Sequence, residues 1–248
     1  LYHYLNQLYE MENEMAETGT ISVSAENIFP IIKKALYSEH DIFLRELVSN
    51  AADAITKHSR LVLMGESTYK DVQPEIRLII DEKANTLTIK DNGLGMTGAE
   101  VKKYINEVAF SSANDFAKLF TDKNDQNRII GHFGLGFYSA FMVSSQVEIK
   151  TKSYRPGEKA VKWFCDGSIE FTLDEIEKED LGTEVVLHID KDSKEFLNTY
   201  TLKETVKKYC RFFPYKIFIG DEQVNVDNPI FARTASDVKD EEYKAFYK

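Results

Sequence analysis

Four residues with reactive or ligand-binding side chains stand at helical spacing in one segment, DIFLRELVSNAADAITKHSR: Glu46, Asn50, Asp53 and Lys57. On an α-helix, spacings of four, three and four residues place them within an arc of roughly 60°. Such a face carries a base, an amide, an acid and an amine, which could face a cavity. The pattern leaves a second interpretation open, in which the face is solvated and Asp53 and Lys57 form a plain surface ion pair.

A second motif, DNGLGM, runs from Asp91 to Met96 and follows an alternating apolar run. A carboxylate at the end of a strand, beside glycines that let a flat ligand approach the backbone closely, suits an exocyclic amine. A turn in which Asp91 merely caps the backbone fits the same residues. The motif alone does not decide between a binding site and a turn.

The third motif is the glycine-rich segment 131–137, GHFGLGF, which precedes the helix-prone run FYSAFMV. Glycines ahead of a helix can present backbone N–H groups and a positive helix end to phosphate groups. The spacing matches neither the Walker loop nor the dinucleotide fingerprint. Together, the three motifs predict a nucleotide pocket.

The elements that must position these motifs predict an α+β fold. A short strand is expected at about residues 19–23 and a helix after Ser24, ahead of the polar-striped helix. The runs EIRLIID and TLTIKD predict a β-hairpin, and residues 97–130 predict a mobile lid. Further strands are predicted at VEIKTK, AVKWFC, SIEFTL, TEVVLHI and KIFIG, with a helix near 202–211. Because helices and strands do not alternate regularly, we expect a two-layer α/β sandwich whose mixed, mostly antiparallel sheet is covered on one face by helices.

The composition narrows the class of protein. The 248 residues are 43% hydrophobic and 12% aromatic, which is enough for a substantial core. A formal net charge of −10 argues against a nucleic-acid partner. Cys165 and Cys210 stand in apolar surroundings and predict buried free thiols in a reducing compartment. No apolar run reaches the length of about 18 residues that a membrane span needs, so no membrane partner is expected.

The segments FLRELVSNAADA, DNGLGM and GHFGLGFYSAFMV, with the later Gly182-Thr183, resemble the four signature boxes of the GHKL ATPases. In order, spacing and the FYS ending they are most similar to the nucleotide-binding domain of the ninety-kilodalton heat-shock chaperones, over about residues 19–220. Residues 228–248 resemble the start of that family's middle domain. We therefore expect part of a longer protein, with an extension at 1–18, an ATP-binding domain at 19–220, and a linker and the start of the next domain at 221–248.

The resemblance implies a role for each motif. Glu46 corresponds to the general base that activates water, and Asn50 to the amide that coordinates Mg²⁺. Asp91 corresponds to the acceptor of the adenine amino group, while Asp53 and Lys57 orient these groups. The implied base pocket is lined by Gly95, Met96 and Thr183, and the implied phosphate cradle is formed by Gly134, Gly136 and Phe137. The implied ligands are ATP or ADP with Mg²⁺.

The chain departs from the family pattern in the predicted lid. Residues 106–113 read NEVAFSSA where GTIAKSGT is common, so that Phe110 replaces a lysine, and Tyr104 replaces a polar residue. The charged linker typical of eukaryotic cytosolic and reticulum members is missing between Gly220 and Asn228. That absence resembles bacterial or organellar forms. The lack of a transit-like start favours a bacterial cytoplasm, although a processed organellar protein would look the same.

The function predicted from these motifs is an ATP-binding and ATP-hydrolysing domain of a molecular chaperone. It would assist unfolded or partly folded client proteins, and it would form a homodimer through segments beyond this chain. The alternatives are a DNA-transaction ATPase of the gyrase or mismatch-repair type, a histidine-kinase catalytic domain, and a binding module with an inactive site. The acidic net charge disfavours the DNA-transaction ATPase. Glu46 disfavours the kinase and the inactive module, because neither needs a base that activates water. Arg45 lies about 100° from the polar stripe, so a catalytic arginine is expected from a downstream segment.

Overall fold

The described part of the chain consists of one mixed sheet with helices packed on it. The computed structural model describes residues 40–105, 136–168, 170–234, 238, 239 and 244. The extension at 1–18, the predicted strand at 19–23 and the helix after Ser24 lie outside these residues. So do Gly134, and the predicted lid beyond residue 105.

The secondary structure begins with the helix that carries the polar stripe. The helices are α1 (Ile42–Leu63), α2 (Gly98–Ile105) and α3 (Thr199–Tyr209), with 3₁₀ helices at Gly136–Met142, Lys191–Leu197 and Ile230–Ala232. The strands are β1 (Glu75–Asp81), β2 (Thr86–Asp91), β3 (Ser144–Lys152), β4 (Ala160–Cys165), β5 (Thr172–Ile176), β6 (Gly182–Ile189), β7 (Lys216–Ile219) and β8 (Glu222–Gln223). The bounds of β1 and β2 are those that the sequence predicts.

The strands form one sheet in the order β5-β4-β3-β6-β2-β1-β7-β8. Neighbouring strands are antiparallel except β1 and β7, which run parallel. The turn of the β1–β2 hairpin contains Asn85 at φ 54°, a left-handed conformation that asparagine tolerates. The prediction of a mixed, mostly antiparallel sheet is confirmed.

Helix α1 packs its apolar residues against one face of this sheet. Phe43, Leu44 and Ile55 are almost fully buried and belong to one cluster with alternate residues of the hairpin. The hairpin residues of that cluster are Ile76, Leu78, Leu87 and Ile89. Leu202 and Val206 of α3 belong to the same cluster, so α1 and α3 share one core with the sheet. The prediction that helices cover one face is confirmed.

Two strand predictions are wrong in detail. β5 begins at Thr172 and not at Ser168. Ahead of it, the Ser168 N–H donates to Asp166 Oδ1 at 3.1 Å, and the Glu170 N–H donates to Ser168 Oγ at 3.2 Å. These local hydrogen bonds compete with strand pairing. The second error is β8, which pairs with β7 where no strand is predicted; two residues are too few to show an alternating pattern.

Cys165 and Cys210 are buried and free, as predicted, and the reducing compartment stays a prediction. Burial raises the pKa of the Cys210 thiol to about 12. A search of the described residues finds no helix that is both long and apolar enough to cross a membrane.

Candidate functional site

Helix α1 places its four predicted site residues in different environments. Asn50 is exposed and Glu46 is partly exposed, whereas Asp53 and Lys57 have only 5% and 7% of their surface exposed. Burial lowers the pKa of the Lys57 amine, and the charge of Asp53 opposes that change. The interpretation of these two residues as a surface ion pair is therefore wrong. The stripe passes from the surface at Asn50 into the interior at Lys57.

Arg45 contacts the predicted general base, although its position on the helix predicts otherwise. Its Nε atom donates to Glu46 Oε1 at 3.1 Å, and its Nη2 atom donates to the same oxygen at 2.5 Å. Arg45 keeps its predicted offset of about 100° on the helix, and its long side chain folds back along the helix to reach its neighbour. The structure thus adds a cation to the site that sequence spacing alone does not reveal.

Asp91 ends β2 with 6% of its surface exposed. The Gly93 N–H donates to its Oδ1 at 2.8 Å, and the Thr183 N–H also bonds to the carboxylate. Burial raises the pKa of Asp91 to about 7, although these two N–H groups and the charge of Lys178 act in the opposite direction. The Gly93 contact shows that Asp91 does cap the backbone of a turn, as the second interpretation of this motif predicts. The carboxylate still has acceptor capacity left, because its two oxygens offer about four acceptor positions.

A group of charged residues surrounds the end of β2 next to Asp91. The ammonium group of Lys178 donates to the Asp180 carbonyl at 2.8 Å and lies 3.4 Å from Glu184 Oε1. Lys90 Nζ lies 2.8 Å from Asp180 Oδ2 and 3.4 Å from the same Glu184 oxygen. Sequence reasoning missed this group because the pairing of Lys90 with Glu184 depends on the β2–β6 register.

The glycines of the second motif are needed for contact between protein segments. A Cβ atom on Gly93 would lie 2.5 Å from the Ala54 carbonyl carbon in α1, and one on Gly95 would lie 1.8 Å from the Lys152 carbonyl oxygen in β3. Gly95 also has φ 62°, a conformation that favours glycine. Neighbouring backbone occupies the space that a side chain would need at these two positions. That the glycines also let a flat ligand approach the backbone closely stays a prediction.

Met96, Thr151 and Thr183 form a hydrogen-bonded line beside this motif. The Met96 N–H donates to Thr151 Oγ1 at 2.9 Å, and the two threonine hydroxyl oxygens are 2.9 Å apart. Thr151 was missed by sequence reasoning. Thr151 lies opposite Thr183 in the pairing of β3 with β6, so a prediction of that strand pairing would have identified it.

The end of the third motif meets the start of α1. A Cβ atom on Gly136 would lie 2.8 Å from Glu46 Oε2, so the backbone at this glycine lies against the predicted base. The Phe137 side chain is buried and packs edge to face on Trp163, with ring centres 5.6 Å apart. Gly134 is outside the described residues. The fold therefore joins Glu46 to Gly136, and Asp91 to Thr183, through α1 and the sheet.

Comparison with known proteins agrees with this arrangement. Residues 37–203 match the family described as "Histidine kinase-, DNA gyrase B-, and HSP90-like ATPase". The chain is 50% identical over 247 residues to "Chaperone protein htpG" of Bacteroides fragilis (strain YCH46), covering 94% of this chain and 36% of that protein. It is 46% identical over 249 residues to "Chaperone protein HtpG" of Porphyromonas gingivalis, again covering 94% and 36%.

A mitochondrial protein is also similar. "TNF receptor-associated protein 1 homolog, mitochondrial" of Dictyostelium discoideum is 34% identical over 236 residues, which cover 94% of this chain and 33% of that protein. The chain spans 36% of the length of the two bacterial relatives. With the family matched over residues 37–203, the chain belongs to the histidine kinase-, DNA gyrase B- and HSP90-like ATPases.

Proposed function

We propose that this chain is the ATP-binding and ATP-hydrolysing domain of a molecular chaperone. The observation that carries the proposal is the buried Asp91 carboxylate, which receives the Gly93 and Thr183 N–H groups and keeps acceptor capacity. A buried carboxylate beside a second polar side chain suits an adenine amino group. The bacterial relatives are chaperones by name, and this supports the chaperone function over a kinase or a gyrase.

Asp91 would bind the base, with Gly95, Met96 and Thr183 lining its pocket. The exposed Asn50 amide fits Mg²⁺, which takes few protein ligands and completes its shell with phosphate oxygens and water. When bound, Mg²⁺ would supply charge neutralisation on the phosphates. Gly134, Gly136 and Phe137 would hold the phosphates through their backbone.

Glu46 would act as the general base toward the attacking water. Its position against Gly136 supports this role, because the same backbone would hold the phosphates. The Arg45 guanidinium on Glu46 Oε1 must either move or share the carboxylate when water is activated. Asp53 and Lys57 are both buried, and they would orient the other polar groups of the helix face from the interior side.

The remaining proposals concern the longer protein. It would assist unfolded or partly folded clients and would form a homodimer through segments outside this chain. Residues 19–220 would form the ATP-binding domain, and residues 221–248 would lead to a following domain. A bacterial cytoplasm is the proposed location, since the two bacterial relatives share about half of their residues with this chain.

The first prediction separates binding from hydrolysis. Asp91→Asn should abolish measurable ADP binding in calorimetry, because it can present an amide donor to the amino donor of adenine and loses a charged acceptor worth roughly 1.5–3 kcal/mol. Glu46→Ala should retain ADP affinity and lose hydrolysis by a factor on the order of 10²–10⁴.

Asp174→Asn, an exposed change in β5, is the matched control and should bind like the parent. The assignment of Asp91 would be wrong if its Asn variant stayed folded and bound ADP within about threefold of the parent. Equal loss of binding and turnover in Glu46→Ala would assign that residue a structural or metal-positioning role.

A further inference from the structure

Thr151 in β3 connects two residues of the proposed base pocket. Its hydroxyl oxygen accepts the Met96 N–H at 2.9 Å and lies 2.9 Å from the hydroxyl oxygen of Thr183. Thr151 has 0% of its surface exposed, and the register of the sheet pairs it with Thr183. A line of polar groups thus runs from the loop after Asp91 through β3 to Thr183.

The direction of these hydrogen bonds follows from the partners of Thr151. Within the described ranges, its hydroxyl contacts only the Met96 N–H, which is a donor, and the Thr183 hydroxyl. A buried hydroxyl proton without an acceptor is destabilising, so Thr151 donates its proton to Thr183 Oγ1. Thr183 then keeps its own proton for another acceptor, and among the same residues no acceptor contacts its hydroxyl besides Thr151. That proton is available to a ligand seated on Asp91.

We propose that Thr151 is a positioning residue that fixes the Thr183 hydroxyl as a hydrogen-bond donor and thereby selects adenine over hypoxanthine. The inference rests on the proposed binding of adenine nucleotides. Adenine carries an amino donor next to a ring-nitrogen acceptor, which complements the Asp91 acceptor and the Thr183 donor. Hypoxanthine carries a carbonyl acceptor next to a ring N–H donor, so both contacts would oppose like groups. A site built of fixed donors and acceptors rejects such a mismatch strongly.

The test compares Thr151→Val with Thr151→Ser by calorimetry with ADP and with inosine diphosphate. Valine keeps the shape of threonine and removes the hydroxyl, whereas serine keeps the hydroxyl. We expect the ratio of the inosine diphosphate Kd to the ADP Kd to fall about tenfold in Thr151→Val, the effect of one hydrogen bond. Thr151→Ser should keep the ratio of the parent, and thermal unfolding should show that both variants fold.

A double-mutant comparison tests whether Thr151 acts through Thr183. Thr183→Val alone should lower the ratio by a similar factor, and adding Thr151→Val to it should change the ratio no further. If Thr151→Val does not fold, Thr183→Val still decides, because an unchanged ratio in that variant overturns the inference. If the parent binds ADP and Thr151→Val keeps the ratio of the parent, the inference is overturned and the proposed function stands. A parent that binds no ADP overturns the proposed function as well.

Discussion

At the scale of single residues, burial sets the properties of the site. Asp91 and Lys57 carry ionisable groups into the interior, and burial shifts their pKa values in opposite directions, upward for the carboxylic acid and downward for the amine. Both shifts disfavour the charged form. Asp91 is therefore an acceptor whose charge is poorly stabilised by the surrounding protein and which a ligand amino group would complement.

This gives a prediction for stability against pH. The pKa of Asp91 is raised from 3.8 to about 7 in the folded domain, so between these values the folded state binds a proton that the unfolded chain does not. The free energy of unfolding should therefore fall as pH rises through this window, by at most roughly 4 kcal/mol from this residue. Asp91→Asn should lack that decrease.

Chemical unfolding at about pH 5 and about pH 7.5, without nucleotide, measures the effect in both proteins. His58 has a pKa lowered by burial and contributes the opposite slope, but it is common to both proteins and cancels in the difference. Parallel pH profiles for the parent and Asp91→Asn would show that the carboxylate is charged throughout this range.

At the scale of elements, the site depends on how closely the loop from Asp91 to Met96 packs on α1. The Leu94 N–H donates to the Ala54 carbonyl at 3.2 Å, and Gly93 lies against the same residue. Ala54 follows Asp53 on the helix, so this contact joins the polar stripe to the loop that starts at Asp91. Any side chain at Gly93 must push the two elements apart.

We predict that Gly93→Ala destabilises the domain by roughly 1–3 kcal/mol, the usual range for overpacking, and also weakens ADP binding because the loop carries Asp91. Gly98→Ala at the start of α2 is the matched control. Its added Cβ would meet only side-chain atoms at 3.5 Å or more, which is ordinary contact. Denaturant unfolding and calorimetry on both variants measure the two effects, and a Gly93→Ala protein as stable as the control would contradict the packing argument.

At the scale of the whole molecule, the arginine next to the proposed base is Arg45, and it is already bonded to Glu46. A guanidinium held by the base is not placed to neutralise charge on a transferred phosphate. In phosphoryl transfer, a missing arginine can lower the rate by about 10³–10⁵ where one is used. The chain spans 36% of the length of the two bacterial relatives, and we propose that a part of the longer protein outside residues 1–248 supplies that arginine.

We therefore predict that residues 1–248 bind ATP as a mainly monomeric domain and hydrolyse it very slowly. Extending the chain with the region proposed to follow residue 248 should raise turnover by orders of magnitude. Steady-state hydrolysis by the two proteins, measured side by side with Glu46→Ala as the blank, decides the question. A short chain as fast as the long one would remove the need for a downstream arginine.

The sequence by itself determined the elements and the chemical types of the site. Alternation gave the bounds of β1 and β2, and helical spacing placed Glu46, Asn50, Asp53 and Lys57 on one helix, because both patterns repeat along the chain over short distances. Asp91 at the end of a strand was likewise predictable. The resemblance to a known family supplied the role expected of each motif.

Only the tertiary structure decided how these groups meet. The pairing of Thr151 with Thr183 depends on the register of two strands that are far apart in sequence, and the burial of Asp53 and Lys57 depends on what covers α1. The same holds for Gly93 and Gly95, whose small size is required by Ala54 and Lys152. Contacts between distant segments leave no periodic signal along a chain, because each depends on the packing of the whole fold.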